Sequence, residues 1–180
     1  MAATDSYRTI AIFGFLDQVI LNQRLALLLL LVGTHAIGDD VSNAKQDAEK
    51  LMNSALPFAE KMLNEHGDFL PYGEAMRPSG EIVSVGADSG EEHAPSQELI
   101  DILKSAFKSA TGEGEYIATA IVYDSLTIPP GSEVKTDAVA VALDHHDDYS
   151  VIVFFPYELV DGSAEFQPPF AVKGAGDIFE

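Results

Sequence analysis

The chain has 180 residues, 47% of them hydrophobic, which suits one ordinary globular domain and is too short for two of typical size. Twenty-nine acidic against ten basic residues leave a net charge of −19, a field that repels phosphate backbones and anionic lipid and so argues against nucleic-acid binding. No cysteine is present, which excludes a disulfide framework, a thiolate nucleophile and sulfur-ligated metal centres.

The first segment reads as an export signal. Arg24 precedes nine apolar residues, Leu25 to Gly33, and small residues at Thr34 and Ala36 place a cleavage site after Ala36. The run is too short to cross a bilayer, which takes about 20 residues, so no membrane span is expected. The competing reading is a buried core helix from Val19 to Val32. With residues 1–36 as a signal peptide, residues 37–180 form a single domain that keeps the charge of −19, because the segment holds two acids and two bases (Asp5, Asp17, Arg8, Arg24).

Helical period follows from Asp40. Apolar residues at Val41, Ala44, Ala48, Leu51, Met52, Ala55, Phe58, Ala59, Met62 and Leu63 recur every three or four positions. Asp40 or Ser42 serves as a cap, Gly67 ends the helix, and Pro57 is expected to kink or split it. Two short strands, Phe69 to Met76 and Glu81 to Ala87, are joined by Arg77-Pro78-Ser79-Gly80. A second helix spans about Pro95 to Ala110, with Leu99, Ile102, Leu103, Ala106 and Phe107 on one face. Three longer strands come next: Tyr116 to Ile128, Thr136 to His145 and Tyr149 to Tyr157. Val139, Val141 and Leu143 alternate with Ala138, Ala140 and Ala142, so both faces of this sheet carry apolar residues and both need cover. Two helices supply it, or one helix and a second copy of the chain in a homodimer. A short strand from Ala164 to Gln167 meets Pro168-Pro169, and the remainder reads as a tail. The order predicts an α+β fold: an antiparallel sheet of about five strands with two main helices packed on it.

The stretch Asp144-His145-His146-Asp147-Asp148 is the most conspicuous candidate for chemistry. His145 shares a face with Val141 and Leu143 while Asp144 and His146 point the other way, and neighbouring side chains on a strand diverge rather than chelate one ion. Asp147-Asp148 suits a two-residue hairpin connection, so the segment is read as a turn and no metal site is assigned. His66, in Glu65-His66-Gly67-Asp68, reads as a helix terminus before an acid–base pair. Phe69, Tyr72, Phe154, Phe155 and Tyr157 are aromatic residues on strands, core by default and pocket lining by exception. No Gly-x-Ser-x-Gly elbow, calcium loop or phosphate-cradling loop occurs, so no catalytic residue and no cofactor is assigned. His66, Tyr72, His145, His146 and Tyr157 stand as the weak binding candidates.

Several stretches together resemble a family of small bacterial proteins, a domain of unknown function. They are "NEHGDFLPYGEAM" after the first helix, "GEIVSV" after the turn, "AIVYDSLTIPPGSEVKTDAVAVALDHHDDYSVIVFFPYEL" across the long strands, and "FAVKGAGDIF" at the end. The resemblance covers roughly residues 41–180. It implies a shared fold and carries over no functional residue.

These readings favour a non-enzymatic, strongly acidic binding or interaction domain of an exported bacterial protein, periplasmic or extracellular; without a signal peptide it would be cytoplasmic. One alternative is an acidic inhibitor or immunity-type protein that neutralises a basic toxin, since complementary fields speed association with a basic protein partner. The other is a metal-dependent hydrolase using His145, His146 and nearby carboxylates.

Overall fold

A computed structural model describes residues 38–91 and 94–180, with side chains from Asn43 onward. The expected export signal and the competing Val19–Val32 helix lie outside the described residues.

The first helix, α1, runs from Gly38 to His66 without a break. It begins before Asp40, so both expected capping residues fall inside it. Pro57 neither kinks it into two nor ends it. Pro57 and Asn53, whose carbonyl loses its partner, both sit on the exposed side, where water takes the place of the missing donor. The opposite stripe is dry: Ala44, Leu51, Ala55 and Ala59 are fully buried and Met52 and Leu63 nearly so. Phe58, expected in that stripe, is 48% exposed and lays its ring edge-on against Tyr72, with centroids 4.9 Å apart.

Among the described residues, seven strands form one open antiparallel sheet, more than the about five expected. They are β1 (Tyr72–Met76), β2 (Ile82–Gly86), β3 (Ala118–Thr127), β4 (Thr136–His145), β5 (Tyr149–Val160), β6 (Ser163–Phe166) and β7 (Phe170–Lys173). The order across the sheet is β2-β1-β3-β4-β5, and β6 and β7 share the far edge of β5. Val160 and Ser163 are register partners at one end of that edge, and Val151 and Lys173 at the other. Pro168-Pro169 interrupts what is otherwise one returning strand, because neither proline has an N–H to give the ladder. That interruption makes the last four paired residues read as tail in the sequence.

The two sheet faces follow from period-two alternation. One face presents Ala118, Ala120 and Val122 of β3, Val139, Val141 and Leu143 of β4, and Val151, Val153 and Phe155 of β5, all buried with α1 across them. The other is covered in part by α2 (Ser96–Gly112), which buries Leu99, Leu103 and Phe107. Ile102 is only partly buried and Ala106 is exposed, so the face turned inward is offset from the expected one. Phe107 rests on Gly73 of β1, where a Cβ would come within 2.6 Å of its ring. This places α2 over β1 and β3. The C-terminal residues fold under α2: Ile178 is buried beside Leu103, Phe107 and Ile121, and its carbonyl accepts from the Thr111 hydroxyl at 3.2 Å.

Candidate ligand-binding site

Because α2 reaches only as far as β3, the sheet beyond it lies open on that side. Cross-strand register arranges the open area in rows. Thr119, Asp144 and Ser150 form a polar row across β3, β4 and β5. The next row is Ile121, Ala142, Ile152 and Val172, and the one after is Tyr123, Ala140, Phe154 and Phe170. Small residues on β4 between large ones on both neighbours make a trough with an alanine floor. Gln97, Ile100 and Lys104 of α2 form one side of it, and Gly174, Ala175 and Asp177 the other, around a cavity of about 190 Å3.

The second wall depends on a close approach. The N–H of Gly174 donates to the Ser150 carbonyl at 3.1 Å and that of Gly176 to the Ser150 hydroxyl at 3.0 Å. A Cβ on Gly174 would overlap the Ser150 hydroxyl, so only glycine lets the chain lie this close. Lys104 then reaches across to Asp177, Nζ to Oδ2 3.1 Å, tying helix to tail.

Asp144 is the polar group this arrangement leaves unresolved. Its Oδ1 is buried with no donor. Burial pushes its carboxyl above the usual range; the Ser150 hydroxyl opposes this, the Asp177 charge adds to it, and Lys104 and Lys108 offset part.

On the opposite face of the same strand stands His145, 4% exposed. The connection after it holds three residues, His146 to Asp148, rather than the expected two, since His145 pairs with Tyr149. Asp148 takes the left-handed conformation (φ 57°) that closes such a loop. The extra residue takes His146 out of the strand alternation. Its ring does not diverge from that of His145 but stacks on it, with centroids 4.6 Å apart and planes 26° apart. His145, His146 and Asp147 thereby bring one nitrogen or carboxylate oxygen each to within 4.8 Å of one another. The Nδ1 of His145 accepts from the Asp147 backbone N–H at 3.1 Å. Its Nε2 faces Asp47 of α1 at 3.7 Å, too long for a hydrogen bond. Burial, and then the neighbouring His146, lower the affinity of His145 for a proton; Asp147 and Asp47 act the other way.

The remaining candidates are scattered. His66 is exposed at the last turn of α1 beside Glu65. Tyr72 donates its hydroxyl to the Ala55 carbonyl at 2.7 Å, and Tyr157 to Asp124 at 3.1 Å; both tie the α1 face together. None of the three lines the trough. Apart from Asp144, the residues that line it carry no motif in the sequence. The one available signal was Asp144 itself, an acid inside an apolar strand facing away from the histidine beside it.

Among the described residues, no helix is long and apolar enough to cross a membrane. The chain matches no family model, no curated protein and no solved structure.

Proposed function

We propose that this chain is a non-enzymatic, strongly acidic binding domain of an exported bacterial protein, and that the trough beside Asp144 is where its ligand sits. The observation that carries the reading is a cavity of about 190 Å3 with the half-buried carboxyl of Asp144 in its wall beside an apolar row. Buried polar groups are normally satisfied, and a carboxyl held in the wall of a cavity offers its accessible oxygen to a partner. Catalysis is disfavoured at the trough because Thr119 and Ser150, the two hydroxyls in the row with Asp144, have no imidazole beside them among the lining residues; the adjacent His145 faces the other side of the sheet. Export rests on the Arg24–Ala36 pattern, and a bacterial source on the sequence resemblance.

The reading is tested by screening small ligands against the full chain for a rise in thermal midpoint, in parallel with Ala142→Leu, which fills the floor. Ligands that stabilise the parent and not the variant support it. Ligands that stabilise both equally place binding elsewhere and remove the trough from the account.

The grouping of His145, His146 and Asp147 supports a second reading, a metal-binding hairpin. Zinc in one-to-one ratio in purified protein, lost in a His145→Ala/His146→Ala double variant, would favour it over the trough.

A further inference from the structure

We propose that the trough recognises a primary ammonium on a short apolar stem, the charge beside Asp144 and the stem over Ala142 between Ile121 and Ile152. This rests on the ligand-binding reading above and adds the chemical class.

The charges lining the cavity do not cancel. Asp144 and Asp177 supply two carboxylates, and Lys104, 3.1 Å from Asp177, supplies one ammonium. A cation arriving next to Asp144 offsets the loss of water around that carboxylate, which a neutral donor does only in part. An anion would meet the uncompensated charge locally and a net −19 at long range, and the same field draws cations in.

The kind of cation follows from the shape. A guanidinium binds best as a fork across both carboxylate oxygens, and Oδ1 of Asp144 is walled in. A quaternary ammonium is held by several aromatic faces, and Tyr123 is the one aromatic residue among those lining the cavity. An ammonium is a compact charge that needs neither. The cavity of about 190 Å3 is somewhat larger than the roughly 150 Å3 that holds a benzene, so the stem has room for about four to six carbons. A lysine side chain or a free alkylamine both offer this chemistry.

Titrating the full chain, followed by backbone amide shifts and calorimetry, with n-pentylamine, 1-pentanol and Nα-acetyl-lysine N-methylamide tests the assignment. The amine is expected to bind about tenfold tighter than the alcohol, the worth of one charged hydrogen bond. Asp144→Asn, which keeps the shape, should bring the amine down to the alcohol's affinity without altering the alcohol. Equal affinities, or an Asp144→Asn variant that holds the amine undiminished, overturn the ammonium assignment. The trough reading survives that result if Ala142→Leu still abolishes alcohol binding, with the smaller Ala142→Val as the substitute should Ala142→Leu not fold. Absence of any shift at Ala142, Asp144 and Ile152 with every probe overturns both. Binding of the acetyl-lysine amide equal to that of pentylamine assigns the ammonium to a protein-borne lysine; binding of pentylamine alone assigns it to a free amine.

Discussion

Asp144 and His145 are consecutive residues on one strand, yet they belong to differently built halves of the molecule. On the His145 side a 29-residue helix closes the sheet, and the side chains beneath it on β3, β4 and β5 are buried. On the Asp144 side a helix of 17 residues covers β1 and β3 and stops. Alanines take the place of the valines and leucine opposite, and a tail held by two glycine amides supplies the missing wall. The α1 face is core in the ordinary sense, stabilised by area removed from water. The α2 face has been left incomplete, and a polar group sits where the cover ends. On the proposed function, stability and binding fall on opposite sides of the same backbone.

The largest effect that tests this division is a cavity on the closed side. Leu51→Ala removes a fully buried side chain and should cost about 3 kcal/mol. Ile152→Ala on the open side, only partly buried, should cost roughly half that. Urea unfolding of the two variants measures both, and equal losses would erase the distinction between the faces.

Next in size is Gly174→Val. The overlap with Ser150 detaches the wall, with an expected cost of about 2 kcal/mol and faster amide exchange at Ile178. Exchange unchanged from the parent would mean that the tail is held by α2 alone.

A smaller effect, read by pH, probes two buried groups of the closed face. His145 binds a proton less readily folded than unfolded, so protonation favours the unfolded chain, and this contribution to stability is lost as pH falls below about 6.5. Glu74, buried under α1 with its carboxyl pushed up by burial, has the opposite sign: stability falls as pH rises above the ordinary glutamate range. Stability curves from pH 4.5 to 7.5 should therefore flatten on the acidic side below neutrality with His145→Gln. With Glu74→Gln the gain over the parent should grow towards neutral pH. A parent curve unchanged by either variant would show that neither buried group differs between the two states.

The smallest expected effect is that of Lys104→Ala. Its ion pair with Asp177 is about one-third exposed on either side and should be worth less than about 1 kcal/mol. Removing it leaves Asp144 and Asp177 without the lysine between them, so the amine affinity of the trough should rise while stability barely moves.

Much of the fold was legible because it depends on neighbours in sequence. The helical stripe from Ala44 to Leu63, the alternation of Val139 to Leu143 and the opposed directions of Asp144 and His145 are consequences of 3.6- and two-residue periods. The departures are also local in origin. Pro57 reads as a breaker, yet it stands on a wet face where the lost bond is replaced. A two-residue connection at Asp147-Asp148 would keep His146 in the strand alternation; the three-residue loop brings its ring beside that of His145 instead. Pro168-Pro169 hid β7, since prolines read as an ending and here only interrupt an edge.

The sequence alone determined the two helices of the described residues, the alternation of each long strand and the acidic field, because these follow from short-range geometry and summed charge. Only the tertiary structure decided that Ala142 floors a trough. Its flanks, Ile121 and Ile152, come from other strands, and the closing pair, Lys104 and Asp177, lies 73 residues apart in the chain. Periodicity says which way a side chain points; what it meets there is settled by strand pairing and by how far each helix reaches.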